Sequence, residues 1–141
     1  MGKFVMRNAF ISVNGTNISD HCSAVTVEDK TDTVELTSFG PSGYKEYAQG
    51  FHDATITSTI FSDFAGPLAI HGLLYPIYQS GGTCYVQVRA DAGTVSATNP
   101  EARLFARMYS YTGLGGKVGD AADMDVTFSN GSTAGLTWGT T

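Results

Sequence analysis

Residues 33 to 61 decide the fold, because they contain two segments in which polar and apolar side chains alternate. Residues 33 to 37 have the sequence Thr-Val-Glu-Leu-Thr, and residues 53 to 61 have the sequence Asp-Ala-Thr-Ile-Thr-Ser-Thr-Ile-Phe. Alternation with a period of two, carried largely by β-branched residues, is typical of a half-buried β-strand. The second segment therefore places its even-numbered residues, from Ala54 to Ile60, on one face and its threonines on the other.

Residues 38 to 52 connect these two segments and form a loop that is too long for a tight hairpin. Loops of this length are usually functional or disordered, and disordered segments contain few aromatic residues. This loop contains several aromatic residues, and we therefore predict that it docks on another surface. Residues 1 to 9 are predicted separately to form a flexible or docking N-terminal arm. The residues of the loop that we expect to make contacts are Phe39, Tyr44, Lys45, Glu46, Tyr47 and Phe51.

The rest of the chain is predicted to consist of short strands and one helix. Asn14-Gly15 is a strong hairpin turn, and Asp29 to Asp32 is interpreted as a charged turn between strands. Apolar spacing over residues 66 to 79 predicts the helix, with Pro67 in its first turn and either an end near Tyr75 or a kink at Pro76. The predicted strands outside the opening stretch are 10–13, 24–28, 84–90, 102–109 and 123–128, with a last one near 136–138.

These elements predict one domain over residues 1 to 141, mainly β: an antiparallel β-sandwich or partly open barrel with one α-helix. The helix is expected to pack on the sheets through Leu73, Leu74 and Ile77. The residues predicted to lie between the sheets are Val34, Leu36, Ile56, Ile60, Val86, Val88, Leu104, Val126 and Phe128.

Composition excludes several classes of protein. Only 15% of the residues are charged, the net charge is −5, and the Lys and Arg residues are scattered. Tight binding to nucleic-acid phosphates needs a basic patch, which the sequence lacks. No apolar run has the length of a membrane span, and the first seven residues are too short and too charged for a signal peptide. Cys84 is expected to be a small buried hydrophobic residue.

No motif predicts catalysis, a metal or a cofactor. The run from Gly113 to Lys117 departs from a phosphate-binding loop, because Val118 follows the lysine where Ser or Thr is needed. The three histidines lack the spacing of metal ligands. The aspartates from Asp120 to Asp125 lack the glycine and the distal glutamate of a calcium loop. We therefore expect a protein that is not an enzyme.

Several short segments follow one another in a recognisable order and spacing. They are Glu-Leu-Thr-Ser-Phe-Gly at 35–40, Lys-Glu-Tyr at 45–47, Gly-Phe-His-Asp at 50–53, Leu-Tyr-Pro-Ile-Tyr at 74–78, residues 95–101, Val-Gly-Asp at 118–120 and Asp-Val-Thr-Phe at 125–128. In this order and spacing, over roughly residues 10 to 141, they resemble the tail tube (major tail) proteins of long-tailed, siphovirus-type bacteriophages. A departure is Phe51 with His52, where an aliphatic residue followed by Lys is expected.

The resemblance implies a structural virion protein that self-assembles as hexameric rings stacked into a tube for genome DNA delivery. Its expected partners are copies of itself and other tail proteins, namely the tape measure, the terminator and the tail tip. DNA would pass without specific binding, and this chain would not insert into a membrane. The implied location is the virion tail, assembled in the cytoplasm of the bacterial host.

A tube that passes DNA should have a neutral or acidic wall, because each Lys or Arg adds a term that retains phosphates. The residues proposed to face the lumen are Glu35, Thr37, Thr55, Thr57 and Thr59 on one face, with Asp123, Asp125 and Thr127 as a second candidate face. The alternative is that both are ordinary solvated outer faces.

Two alternatives to the tube subunit also stay open. One is a carbohydrate-binding or receptor-binding β-sandwich module, and the other is another tail part of the same fold, such as a terminator or hub subunit.

Overall fold

The computed structural model describes residue 3 and residues 5–40, 43–65 and 69–141. This part of the chain contains eight β-strands, one α-helix and a single turn of 3₁₀-helix at Ser19–His21. The strands and the helix are β1 (Phe10–Val13), β2 (Thr16–Asn17), β3 (Cys22–Glu35), β4 (Tyr47–Phe61), α1 (Ile70–Ser80), β5 (Cys84–Arg89), β6 (Glu101–Arg107), β7 (Asp123–Asn130) and β8 (Thr137–Gly139).

All strands belong to one antiparallel sheet with the order β2-β1-β5-β6-β7-β4-β3, and β8 pairs with β6. The sheet opens between β6 and β7, which share only the pairs Ala106 with Asn130 and Arg107 with Ser129. Buried residues from both sides of this opening, including Val86 of β5 and Ile56 of β4, belong to one hydrophobic core. The fold is therefore mainly β and not closed, as the sequence predicted.

The core contains most of the residues predicted for it. Val34 and Leu36 are the exceptions, since 43% and 52% of their surfaces are exposed. Their placement was wrong because alternation along β3 from Val25 and Val27 puts Val34 on the face opposite to the core, and Leu36 follows the end of the strand. The residues confirmed as buried are Ile56, Ile60, Val86, Val88, Leu104, Val126 and Phe128.

β3 joins three elements that were predicted separately: the strand at 24–28, the charged turn at 29–32 and most of the strand at 33–37. β3 has 14 residues and β4 has 15, and they are joined by twelve residue pairs from Cys22–Ile60 to Glu35–Tyr47. The predicted charged turn at residues 29 to 32 is wrong, because these residues continue β3. Lys30 pairs with Asp53 on β4, and its Nζ lies 3.8 Å from Oε1 of Glu28. Opposite charges that pair across two strands stabilise the extended conformation. They can therefore hold residues in a strand even where the sequence has no alternation of apolar residues.

The helix α1 continues through Pro76 and ends at Ser80, so the predicted end near Tyr75 is wrong. Gly81 follows with a φ of 68°, a left-handed conformation that favours glycine and ends the helix. Ile70 and Leu74 are buried, and Leu73 and Ile77 pack against the core as predicted. Pro67 and Leu68 lie outside the described residues. Among the helices described, none is both long and apolar enough to span a membrane.

The turn between β1 and β2 confirms the hairpin predicted at Asn14-Gly15. Both residues have positive φ values, 51° and 82°, which suit the two central positions of a type I′ turn. The turn is fixed to β5, because Oδ1 of Asn14 accepts a hydrogen bond from the backbone N–H of Tyr85 over 2.8 Å. Cys84 at the start of β5 is buried with a free thiol, and burial raises its pKa to about 11.

Candidate assembly surfaces

The β3–β4 hairpin leaves one long edge of the sheet open. β3 is the last strand of the sheet, and along its outer side no strand of the described chain pairs with it. An exposed edge of 14 residues is a template for pairing with another chain, and monomeric proteins usually protect such edges. This edge is therefore a candidate contact with another subunit.

The end of the hairpin presents exposed aromatic side chains. The connecting loop is shorter than predicted: it runs from residue 36 to 46, and Tyr47 and Phe51 lie within β4. We call residues 36 to 46 the hairpin tip, and Pro41 and Ser42 of this tip lie outside the described residues. The backbone N–H of Leu36 donates to the carbonyl oxygen of Glu46 over 2.8 Å and so closes the base of the tip.

Each aromatic residue predicted to make contacts from this region is exposed. Phe39 is fully exposed, and 84%, 55% and 87% of the surfaces of Tyr44, Tyr47 and Phe51 are exposed. Lys45 and Glu46 between them are exposed as well. A group of large exposed apolar side chains with charged neighbours is typical of a protein–protein contact.

Two predicted lumen faces form one continuous polar face in the structure. Thr57 of β4 pairs with Thr127 of β7, and Thr59 pairs with Asp125. The hydroxyl of Thr59 donates a hydrogen bond to Oδ1 of Asp125 over 2.8 Å, which shows that both side chains lie on the same side of the sheet. Asp123 and Thr55 continue the two rows by alternation along their strands. The face is opposite to the core, because Ile56 and Val126 between these positions are buried.

β3 extends this polar face and adds a base to it. Thr26 and Glu28 pair with Thr57 and Thr55, and Lys30 pairs with Asp53. The face therefore contains a lysine in addition to the predicted hydroxyls and carboxylates. Nζ of Lys30 lies 3.8 Å from Oε1 of Glu28, and Lys30 pairs across the strands with Asp53, so nearby acidic residues offset its charge.

A second cation stands at the margin of the polar face. Arg107 of β6 pairs with Ser129, whose other neighbour is Thr55. Nη1 of Arg107 donates a hydrogen bond to the carbonyl oxygen of Gly81 over 2.9 Å. The carboxylates on the face outnumber its two cations, so the face is acidic. These carboxylates belong to Glu28, Asp53, Asp123 and Asp125.

Glu35 and Thr37 do not belong to this face. The pairing steps from Thr31–His52 to Thr33–Gln49, so the extra residue of the bulge lies on β4. Alternation along β3 is therefore unbroken and places Glu35 on the face of Val25 and Val27. Thr37 lies beyond the end of β3, where its Oγ1 accepts a hydrogen bond from the backbone N–H of Glu46 over 3.0 Å. Grouping these two residues with the threonines of β4 was wrong.

A buried ionic network at the other end of the sheet was missed from sequence. Glu101 of β6 is 1% exposed, and its carboxylate accepts hydrogen bonds from Nη1 of Arg89 over 2.6 Å, Nε of Arg103 over 2.8 Å and Nε2 of Gln87 over 2.7 Å. Burial opposes ionisation of Glu101, but the hydrogen bonds from Arg103, Gln87 and Arg89 outweigh it and lower its pKa. Arg103 also donates to the carbonyl oxygen of Thr141, which fixes the C-terminus beside β6.

An apolar groove lies beside this network, and we call it the arm groove. It has a volume of about 740 Å³ and lies between the N-terminal arm and the core-side face of β3. Val25 and Val27 of β3 line it together with Met6 of the arm and Trp138 of β8. Trp138 is 57% exposed at this groove.

His21 and His71 have separate surroundings. His21 lies between carboxylates, with Nδ1 3.0 Å from Asp20 and Nε2 3.3 Å from Asp63. Nδ1 of His71 is 2.9 Å from the hydroxyl of Tyr111, and its ring stacks on Tyr75. Within the described ranges, no group of three or more His, Cys, Asp or Glu side chains is placed to hold a metal ion.

Solved structures of tail particles have this arrangement of strands and helix. A chain in the virion of a native gene transfer agent particle superposes with a TM-score of 0.72 at 17% identity, over 94% of this chain and 95% of that chain. The chain has a tail-tube-like fold.

Two further structures with the tail-tube-like fold come from injection systems. A chain of the sheath–tube complex of an extracellular contractile injection system, PVC, matches with a TM-score of 0.67 at 14% identity, over 95% of this chain and 89% of that chain. A chain of the tube-terminating cap of the anti-feeding prophage, AFP, matches with a TM-score of 0.70 at 11% identity, over 100% and 95% of the two chains. No family model and no curated protein matches the sequence.

Proposed function

We propose that the protein is a structural subunit of a tail tube, assembling as stacked hexameric rings that form a conduit for genome DNA. The observation that carries this proposal is the open edge of β3 at the end of the sheet. A ring in which this edge pairs with a neighbouring subunit would remove it entirely. Sixfold symmetry is supported by a similar chain in the tail of an empty gene transfer agent particle refined with C6 symmetry, with a TM-score of 0.69.

The sheet has the dimensions for such a ring. The four strands β6, β7, β4 and β3 are consecutive neighbours at its open end. Six subunits that each give four strands would form a barrel with a backbone diameter of about 45 to 50 Å, at a strand spacing of about 4.8 Å and a tilt of about 40°. Side chains would leave a lumen of about 35 to 40 Å, which is wide enough for duplex DNA.

The lumen wall in this arrangement is the polar face of β3, β4 and β7, with Arg107 of β6 at its margin. Its threonine hydroxyls hydrate well, and its carboxylates repel phosphates, so DNA would pass without being held. Lys30 has the carboxylate of Glu28 within 3.8 Å and Asp53 as its cross-strand partner, which reduces its attraction for phosphate. The role is structural, without a cofactor, and the protein would be assembled in the cytoplasm of the bacterial host into the virion tail, beside tape measure, terminator and tip proteins.

A second candidate is a tube-terminating subunit with the same fold. It is favoured by one observation, the match over the full chain to the cap that terminates the AFP tube. A terminator would form a single ring and would not polymerise alone. A tube subunit would form rings and would also stack them into a tube.

Electron microscopy of the purified protein tests the proposal. We expect hollow rings and tubes with sixfold symmetry when the protein is concentrated. Single rings that never stack would support the terminator, and a dispersed monomer that binds glycans would support the binding-module alternative. Either result would contradict the tube subunit.

A further inference from the structure

The arm groove is an apolar surface that the described part of the chain leaves open. Val25 and Val27 on its floor are partly buried and pack against the core, and Trp138 stands exposed at its side. Its volume of about 740 Å³ falls within the range of about 300 to 1,000 Å³ that is usual for sites which enclose a ligand. The groove therefore has room for several large side chains of a partner.

The hairpin tip has the properties of an occupant for this groove. Phe39 is fully exposed, and 52% of the surface of Leu36 is exposed, although both are large apolar residues. Aromatic residues, Phe among them, are enriched at protein interfaces, where buried aromatic side chains that fill a pocket on the partner act as anchors.

The tip cannot reach the groove of its own chain. Ten residues of continuous strand separate Val25 in the groove from Glu35 at the base of the tip, which corresponds to about 33 Å at about 3.3 Å per residue. The pairing with β4 along this whole length keeps β3 extended. The tip and the groove therefore lie at opposite ends of the hairpin, and only two copies of the chain can bring them together.

Charges at the two sites are complementary. The tip carries Lys45 and Glu46 side by side, and both are exposed. The groove is lined by Arg7 and Asp91 in addition to its apolar residues. None of these four side chains forms an ion pair with another residue in the described part of the chain. Opposite charges at an interface rim fix the orientation of docking more than they add affinity.

We propose that the hairpin tip of one subunit docks in the arm groove of a second copy, with Phe39 against Val25 and Val27. Lys45 and Glu46 then face Asp91 and Arg7 of that copy. The two surfaces differ, so each subunit donates one tip and accepts another, and such a head-to-tail contact propagates into a ring or a filament. This inference rests on the proposed self-assembly and names the acceptor surface that the assembly uses.

Tryptophan fluorescence tests the occupation of the groove directly, because Trp138 is the single tryptophan of the chain. We expect its emission to shift to shorter wavelength when the full-length protein assembles, since a docked tip removes the indole from water. Protein that forms no rings or tubes would contradict the proposed function itself. Tubes that form with unchanged Trp138 emission would contradict only the docking site.

Mixing two variants tests the direction of the contact. Phe39→Ser removes the anchor of the tip and leaves the groove intact, whereas Val27→Asp blocks the groove and leaves the tip intact. Each variant alone should fail to lengthen into tubes. A mixture should give particles with twice the mass of either variant in sedimentation velocity, and nothing longer. Normal tubes from Phe39→Ser alone would overturn the proposal, as would a mixture in which no larger particle forms.

A charge exchange provides a version of the test that does not alter apolar packing. Arg7→Glu should slow tube growth at low salt at least several-fold, and adding Glu46→Arg in the same chain should restore most of the rate. Absence of rescue by Glu46→Arg would contradict the proposed orientation of the tip.

The mixing experiment has its own control. Val118→Ser, at a fully exposed apolar residue between β6 and β7, is the matched control for Phe39→Ser and should assemble normally.

Discussion

The hydroxyl of Thr59 on β4 donates a hydrogen bond to the carboxylate of Asp125 on β7, over 2.8 Å. This contact joins a row of threonines to a row of aspartates that lie 66 residues away along the chain. It holds the Asp125 carboxylate close to the sheet and makes the two rows one acidic, hydroxyl-rich face. The proposed lumen wall is this face.

A lysine in the middle of this face should slow the passage of DNA. In particles built with Thr57→Lys, tubes should still form, because Thr57 is exposed and points away from the core. Genome ejection should become slower and depend on salt, since each added cation contributes a counterion-release term that favours retention. Ejection kinetics at two salt concentrations measure this effect. Thr133→Lys is the control at an exposed threonine outside the face, and ejection unchanged by Thr57→Lys would place β4 on the outside.

Removing two aromatic rings from the end of the hairpin should weaken assembly without unfolding the subunit. We expect Tyr44→Ala combined with Tyr47→Ala to raise the concentration needed for polymerisation at least several-fold, because exposed aromatic residues are frequent energetic centres of interfaces. Light scattering measures polymerisation, and circular dichroism checks the fold. Tyr109→Ala changes a comparably exposed tyrosine between β6 and β7 and serves as the control. Tubes that polymerise normally without Tyr44 and Tyr47 would count against the hairpin as a contact.

Two leucines test the boundary of the core. Leu104 on β6 is fully buried, whereas Leu36 at the end of the hairpin is 52% exposed. Leu104→Ala should lower the free energy of unfolding by about 2 to 5 kcal/mol because it leaves a cavity. Leu36→Ala should change it by no more than about 0.5 kcal/mol in the monomer. Urea unfolding of both variants provides the comparison, and similar losses for the two would mean that the hairpin packs on the body of the domain.

The Glu101 network should make stability depend on pH. The pKa of Glu101 is lowered in the folded protein, so its contribution is present above the unfolded pKa and is lost as the pH falls through the folded pKa. Glu101→Gln should therefore reduce the free energy of unfolding at pH 7 by about 1.5 to 3 kcal/mol, the range for hydrogen bonds to a charged group.

The difference between wild type and Glu101→Gln should narrow as the pH is lowered below about 4, since the wild-type carboxylate then becomes protonated. Chemical unfolding at neutral and acidic pH measures both differences. Glu46→Gln, at an exposed carboxylate without an ion pair in the described chain, should have little effect at either pH. An equal loss for Glu101→Gln at both pH values would show that packing, and not the ionised carboxylate, stabilises this position.

The sequence by itself determined which face of each short strand is buried. Ile56, Val86 and Val126 each lie in a period-two pattern, and burial on a pleated strand follows that period wherever a second layer is present. It also determined the turn at Asn14-Gly15, because both central positions need positive φ values that few residues adopt.

Only the tertiary structure decided where the strands end and which polar residues meet. Glu28 to Asp32 continue β3 because Lys30 finds Asp53 and Glu28 as neighbours, and no local pattern records a partner on another strand. Glu35 lies on the core-side face because β3 continues without an inserted residue from Val25 and Val27, so the alternation of this long strand sets its face. Glu101 is buried because Arg89, Arg103 and Gln87 come together around it from two strands. Alternation along a strand encodes burial against its own layer, whereas register, bulges and ionic partners are set by segments far apart in the chain.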